Sequence, residues 1–195
     1  QRLVIHAALG ELMTTTGQYD QAHEHLLTAL EPALERGDHD AEAHACRWLA
    51  RSHELRGEYS LAFEWIDRGL AALQGRETAE AAHLHINAGL IHSRQGHLNQ
   101  ALEQCQTSPR IAEALGELAV LARAFLLLAV ISLSRGDSKS SVEHAQRALD
   151  LYTRAGDLSG QAFAHNQIAN ACFNTGQWSA ADRAYRQAHA TFEQI

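Results

Sequence analysis

Gly57-Glu58-Tyr59-Ser60-Leu61-Ala62 decides how this chain folds, because it recurs. Further copies are Gly17-Gln18-Tyr19-Asp20-Gln21-Ala22, Gly96-His97-Leu98-Asn99-Gln100-Ala101 and Gly176-Gln177-Trp178-Ser179-Ala180-Ala181, with a degenerate one at Gly136-Asp137-Ser138-Lys139-Ser140-Ser141. The leading glycines are 40, 39, 40 and 40 residues apart. A single globular core imposes no such interval, whereas a stack of like units does. A second ladder lies between: Gly37, Gly116 and Gly156 each stand 20 residues before a glycine of the first set, and Gly75 stands 21 before Gly96. Glycine ends helices because it takes a left-handed backbone without steric cost. Asp38 and Asp157 follow two of these glycines and are expected to cap the next helix. Each unit therefore reads as helix A, glycine turn, helix B, glycine turn, with helices of about 16 residues or about 24 Å.

The composition agrees. The chain has 195 residues, is 46% hydrophobic and contains only 2 prolines, which favours helix throughout. The longest apolar run, Ala124 to Ile131, has 8 residues, short of a membrane span. The net charge is −7 with no block of like charge, so no nucleic-acid interface is expected. Cys46, Cys105 and Cys172 are odd in number and each falls on an expected buried face, which points to free thiols and a cytoplasmic setting. The chain has no initiator Met and no leader pattern, and both ends carry uncapped apolar faces. It is expected to be a segment of a longer protein.

Helix boundaries follow from the glycines. The A helices are expected near 3–16, 39–56, 78–95, 117–135 and 158–175, and the B helices near 19–36, 60–74, 99–115, 139–155 and 179–195. Pro32 is expected to bend or restart its helix, and Ser108-Pro109 to break another in two.

Seven residues before each leading glycine stands a small residue: Gly10, Ala50, Gly89, Ala129 and Ala169. Five after it stand Ala22, Ala62, Ala101 and Ala181, with Ser141 as the exception. A large apolar residue (Leu9, Leu49, Leu128, Ile168) precedes four of the small ones, and an aromatic or leucine often follows the turn glycine by two. This pattern resembles the tetratricopeptide repeat over all five units, departing from it in a period of 40 rather than 34 residues. Longer units of this kind are similar to those of the bacterial maltose-regulon activator, of actinomycete antibiotic regulators and of animal spindle-orientation adaptors. A HEAT or armadillo array is the rival fold. The resemblance implies an all-α, right-handed superhelical solenoid of five helix-turn-helix repeats, ten main helices in all. It makes one domain over 1–195, with repeats near 1–37, 38–76, 77–116, 117–156 and 157–195.

It also implies that helix A of each unit lines a concave surface. Counted from the turn glycines, the expected lining comprises Arg47, Arg51, Arg94 and Arg123 as a basic strip, and Ile86, Leu90, Leu126 and Val130 as an apolar strip. Phe163, Asn166, Asn170 and Phe173 follow in the last unit, with Asn170 at the position where adaptor relatives grip a ligand backbone. The expected function is a non-catalytic scaffold in a bacterial signalling or regulatory protein, holding a peptide or helix with acidic and apolar side chains. Two alternatives stand beside it. The arginines pair with Glu54 and neighbouring carboxylates, or the array is the small-ligand sensor of a multidomain transcriptional regulator. Self-association through the uncapped ends is expected as well.

No enzyme, cofactor or metal site is expected. The 13 histidines lack ligand spacing; His6, His85 and His165 share one repeat position that Cys46 and Phe125 fill elsewhere, so it reads as packing. Trp48, Trp65 and Trp178 are expected to pack between helices.

Overall fold

The computed structural model describes residues 2–195. Ten helices account for the secondary structure of those residues: α1 (Arg2–Thr15), α2 (Tyr19–Arg36), α3 (His39–Leu55), α4 (Tyr59–Leu73), α5 (Ala79–Arg94), α6 (Leu98–Leu115), α7 (Leu118–Ser134), α8 (Ser138–Ala155), α9 (Leu158–Asn174) and α10 (Trp178–Phe192). The fold is an all-α helical repeat. Odd-numbered helices are the A helices and even-numbered ones the B helices of the sequence pattern.

All nine ladder glycines have positive φ, between 64° and 81°. At Gly37 the turn closes as a paired C-terminal cap: the Gly37 N–H donates to Leu34 O at 3.1 Å and the Asp38 N–H to Ala33 O at 2.9 Å. Asp38 and Asp157 then cap as expected, accepting from the N–H of Ala41 at 3.1 Å and of Gly160 at 2.8 Å. Asp137 does the same for α8, accepting from the Ser140 N–H at 3.0 Å; hydrogen bonding from the Ser140 side chain, and then from its N–H, lowers the Asp137 carboxyl pKa.

The prolines correct one expectation. Both α2 and α6 run unbroken through Pro32 and Pro109. Each proline costs one backbone hydrogen bond, but both helices have buried residues on either side of it: Leu30 and Ala33 in α2, Ser108 and Ile111 in α6. Packing on both flanks outweighs the lost bond.

The packing divides into two compact units, one up to Ile91 and the other from His92, the division falling in the last turn of α5. In the first unit α1 pairs with α2 and α3 with α4, while α2 and α1 both meet α3. In the second, α7 pairs with α8 and α9 with α10, α8 and α7 both meet α9, and α6 meets α7. Small residues set the spacing. A Cβ on Gly10 would stand 2.5 Å from Leu26 Cγ, and one on Gly69 would stand 2.9 Å from Leu84 Cδ1 and 3.1 Å from Cys46 Cβ. A Cβ on Gly160 would run into the Tyr152 ring.

Two buried amides tie neighbouring A helices together, and sequence reasoning singled out neither. Asn87 and Gln167 each lie two residues before the small residue of their helix. Asn87 Nδ2 donates to Arg47 O at 3.5 Å; Gln167 Nε2 donates to Ala129 O and to Ser141 Oγ, both at 3.3 Å. The second contact accounts for Ser141 standing where the other repeats have alanine. Its hydroxyl is fully buried and partnered.

Candidate functional site

Aligning the A helices on their small residue sorts the expected lining into open and closed positions. The position one after the small residue holds Glu11, Arg51, Leu90, Val130 and Asn170, and all five are half-buried. The position six before it holds Val4, His44, His83, Arg123 and Phe163; Val4 and Phe163 are exposed and the other three half-buried. These two positions stay accessible on every A helix.

Two other positions close on α1 and α3 but not on every A helix, and this corrects part of the expected site. Three before the small residue, Ala7, Arg47 and Ile86 are buried; Arg47 is 8% exposed and Ile86 only 2%. Leu126 is half-buried there, and only Asn166 in α9 is exposed. Four after the small residue, Thr14 and Glu54 are each 1% exposed, Ser93 and Leu133 are half-buried, and Phe173 is 53% exposed. Arg47 and Ile86 therefore belong to the packing between repeats. Asn166 and Phe173 hold packing positions that stay uncovered on α9.

The basic strip is also altered. In the first unit, Arg47 Nε pairs with Glu80 Oε2 at 2.6 Å and its guanidinium lies 4.7 Å from the centre of the Trp48 ring. His44 Nδ1 meets the other Glu80 oxygen at 2.9 Å, and its Nε2 is 3.8 Å from Glu11 Oε2. Burial by itself would raise the Glu80 carboxyl; the hydrogen bond from His44 and the charge of Arg47 outweigh it and bring it down to about 2. Arg51 pairs with buried Glu54 one turn along α3. The pairing of these arginines with nearby carboxylates is thus the arrangement in the first unit. In the second unit Arg94 is exposed and Arg123 half-buried.

On α9 the expected residues join an aromatic ladder across to α10. Phe163 meets Phe192 edge-on with ring centres 5.4 Å apart, and Phe173 meets Trp178 at 5.0 Å. Between them the Tyr185 hydroxyl donates to Asn170 Oδ1 at 2.6 Å. Trp178 was expected inside; it is 62% exposed and lies against Phe173, itself 53% exposed. Trp48 and Trp65 are half-buried.

The three cysteines are free and buried, and burial pushes the Cys46 and Cys105 thiols up to about 12. No cluster of three or more His, Cys, Asp or Glu side chains among the described residues is placed to hold a metal ion. His6 and His25 pair through their Nδ1 atoms at 2.8 Å, and burial lowers the pKa of His165. No helix of the described residues is long and apolar enough to cross a membrane.

The tetratricopeptide-repeat family model matches residues 120–194. No curated protein matches the sequence. Among solved structures, a Rap protein complexed with Competence and Sporulation Factor superposes with a TM-score of 0.85 at 14% identity, over 97% of this chain and 54% of that one. BtubC from P. vanneervenii gives 0.77 at 18% identity, over 97% and 79%. The nearly identical TPR-like repeats of a Podosopora anserina kinesin light chain give 0.67 at 18%, over 99% and 96%. The chain thus spans about half the length of the Rap protein, and at these identities the likeness is one of fold. With glycine-punctuated helix pairs throughout, the chain has the fold of a tetratricopeptide-repeat array, and the family model matches its last two pairs.

Proposed function

We propose that the chain is a non-catalytic protein-interaction module of a signalling or regulatory protein, and that its second unit holds an extended peptide or a helix against the A helices α7 and α9. The observation that carries this reading is the pair of positions left accessible on every A helix, which on the adjacent helices α7 and α9 present Arg123, Val130, Phe163 and Asn170. Val130 and Phe163 offer apolar contact. Asn170 accepts from Tyr185 through its carbonyl oxygen and keeps its amide group to donate to a ligand backbone. Arg123 supplies the site for an acidic side chain. Arg47 is held by Glu80 and Arg51 by Glu54. That a Rap protein of the same fold is complexed with Competence and Sporulation Factor supports a bound partner of this general kind.

The test avoids Arg51, where a reversed charge would set a second carboxylate against buried Glu54. A peptide library is panned against the 195-residue chain and the tightest binder is measured by fluorescence anisotropy. Asn170→Ala should weaken binding about tenfold, the value of one or two lost hydrogen bonds. Val130→Glu should weaken it further, and both variants should keep the helical circular-dichroism signal. A binder indifferent to both substitutions places the site elsewhere.

Self-association through the ends of the array is a second proposal, supported by the exposed apolar residues Ile5 and Leu12 on α1 and Tyr185 and Phe192 on α10.

A further inference from the structure

Where α6, α7 and α8 meet, a pocket of about 390 Å³ opens on the surface of the second unit. None of its lining belongs to the peptide surface proposed above. Its floor is apolar: Leu121 and Leu151 are 9% and 7% exposed, and Leu118 is half-buried. Its rim carries both signs of charge. Arg147 and Arg154 stand on α8 with Asp150 between them, and Glu113 comes from the last turn of α6.

Two of these charges are already engaged. Asp150 Oδ1 accepts from Gln146 Nε2 at 3.3 Å, and the Arg147 guanidinium lies 4.3 Å from the centre of the Phe125 ring. The other two are not: among the described residues, neither the Glu113 nor the Arg154 side chain has a partner in a hydrogen bond or ion pair. The same corner of the first unit shows what opens the space. Counted from the turn glycines, Arg68 on α4 stands where Arg147 does, and Glu42 on α3 stands where Leu121 does. Arg68 Nε meets Glu42 Oε1 at 3.3 Å, so that arginine is satisfied within the repeat. In the second unit a leucine replaces the carboxylate. At the α8–α10 corner the positions of Glu113, Arg147, Asp150 and Arg154 hold Thr153, Gln187, Ala190 and Gln194, none of them charged.

A ligand that satisfies both free charges must itself carry both, on an apolar body. We propose that this pocket binds a small zwitterion with an apolar side chain: a free amino acid, or a short peptide with unblocked ends. Its carboxylate pairs with Arg154, and Arg147 adds a second positive charge on the same helix. Its ammonium goes to Glu113, where the C-terminal end of α6 also favours a positive charge. Its side chains cover Leu118, Leu121 and Leu151.

Isothermal titration with leucine and with leucyl-leucine tests this. Tighter binding of the first assigns an amino acid, and of the second a peptide; in either case affinity should fall as salt rises. Acetylating the amine or amidating the carboxylate of the better ligand should each weaken binding about tenfold or more, the value of one charge-assisted contact. Arg154→Gln and Glu113→Gln, both at exposed positions, should do the same. Leu121→Glu restores the carboxylate of the first unit's corner and should abolish binding with the helical circular-dichroism signal intact; should that signal be lost, the two glutamine variants decide alone. The proposal is overturned if neither ligand binds at millimolar concentration, if the blocked forms bind equally well, or if both glutamine variants leave binding unchanged. Val130 and Asn170 are untouched throughout, so such a failure leaves the proposed peptide surface standing.

Discussion

Ser141 and Gln167 show how one departure from a repeat is fixed by another. Every other unit places alanine where Ser141 stands, and a buried hydroxyl there is tolerated only because Gln167 reaches it while also holding Ala129 O. Removing either group strands the other. Gln167→Ala and Ser141→Ala should each destabilise the fold by about 1–2 kcal/mol, Gln167→Ala the more because it also frees a backbone carbonyl. The double variant should lose less than the sum, since the bond between them can be lost once only. Chemical denaturation of the four proteins measures the coupling, and strict additivity would show that the contact is not formed. The amides at Asn87 and Gln167 were illegible in the sequence for a physical reason. Their position also accepts Leu127 and Trp48, so no repeated letter marks it, and what selects an amide is a carbonyl some 40 residues away.

At the scale of the helix, the turn glycines carried most of what could be read beforehand. Their spacing located nine helices to within a residue and α10 to within three, because a left-handed backbone strongly selects one residue type. Proline misled by the same kind of local reasoning. Its penalty is fixed by the chain alone, but whether a helix survives it depends on what the flanking turns bury. Pro32→Ala should therefore stabilise the array by about 1 kcal/mol: an N–H returns to the ladder, partly offset by the greater freedom of the unfolded chain. Thermal unfolding decides this; a lower midpoint would mean that the restriction Pro32 places on the unfolded chain outweighs the recovered hydrogen bond. The expected binding surface was only half legible for a related reason. Register places a residue on a face, and accessibility depends on whether a further helix covers that face. Arg47 and Ile86 look like lining by count and are packing by contact.

At the scale of the whole molecule, helices that touch mainly their sequence neighbours make stability a sum of local and nearest-neighbour terms. Titration enters that sum at several places. Burial lowers the pKa of His23, His92, His144 and His165, with neighbouring positive charge from His53 and Arg56 adding to it at His23. The unfolded chain takes up protons at these sites near the ordinary imidazole value of 6.5, before the folded chain does, so stability falls as pH drops below that value. Glu80 acts in a lower window: its contribution is complete above its ordinary 4.5 and disappears as pH falls towards about 2. The unfolding midpoint should accordingly decline from pH 7.5 to 5.5 and again below 4.5, with Glu80→Gln removing much of the second decline; a flat profile over the first interval would contradict the histidine assignment. The buried thiols have a further use. With Cys46 on α3, Cys105 on α6 and Cys172 on α9, an alkylating reagent can reach sulfur only when the surrounding helices part. The three labelling rates clock the opening of three separate stretches of the array, with no probe to install.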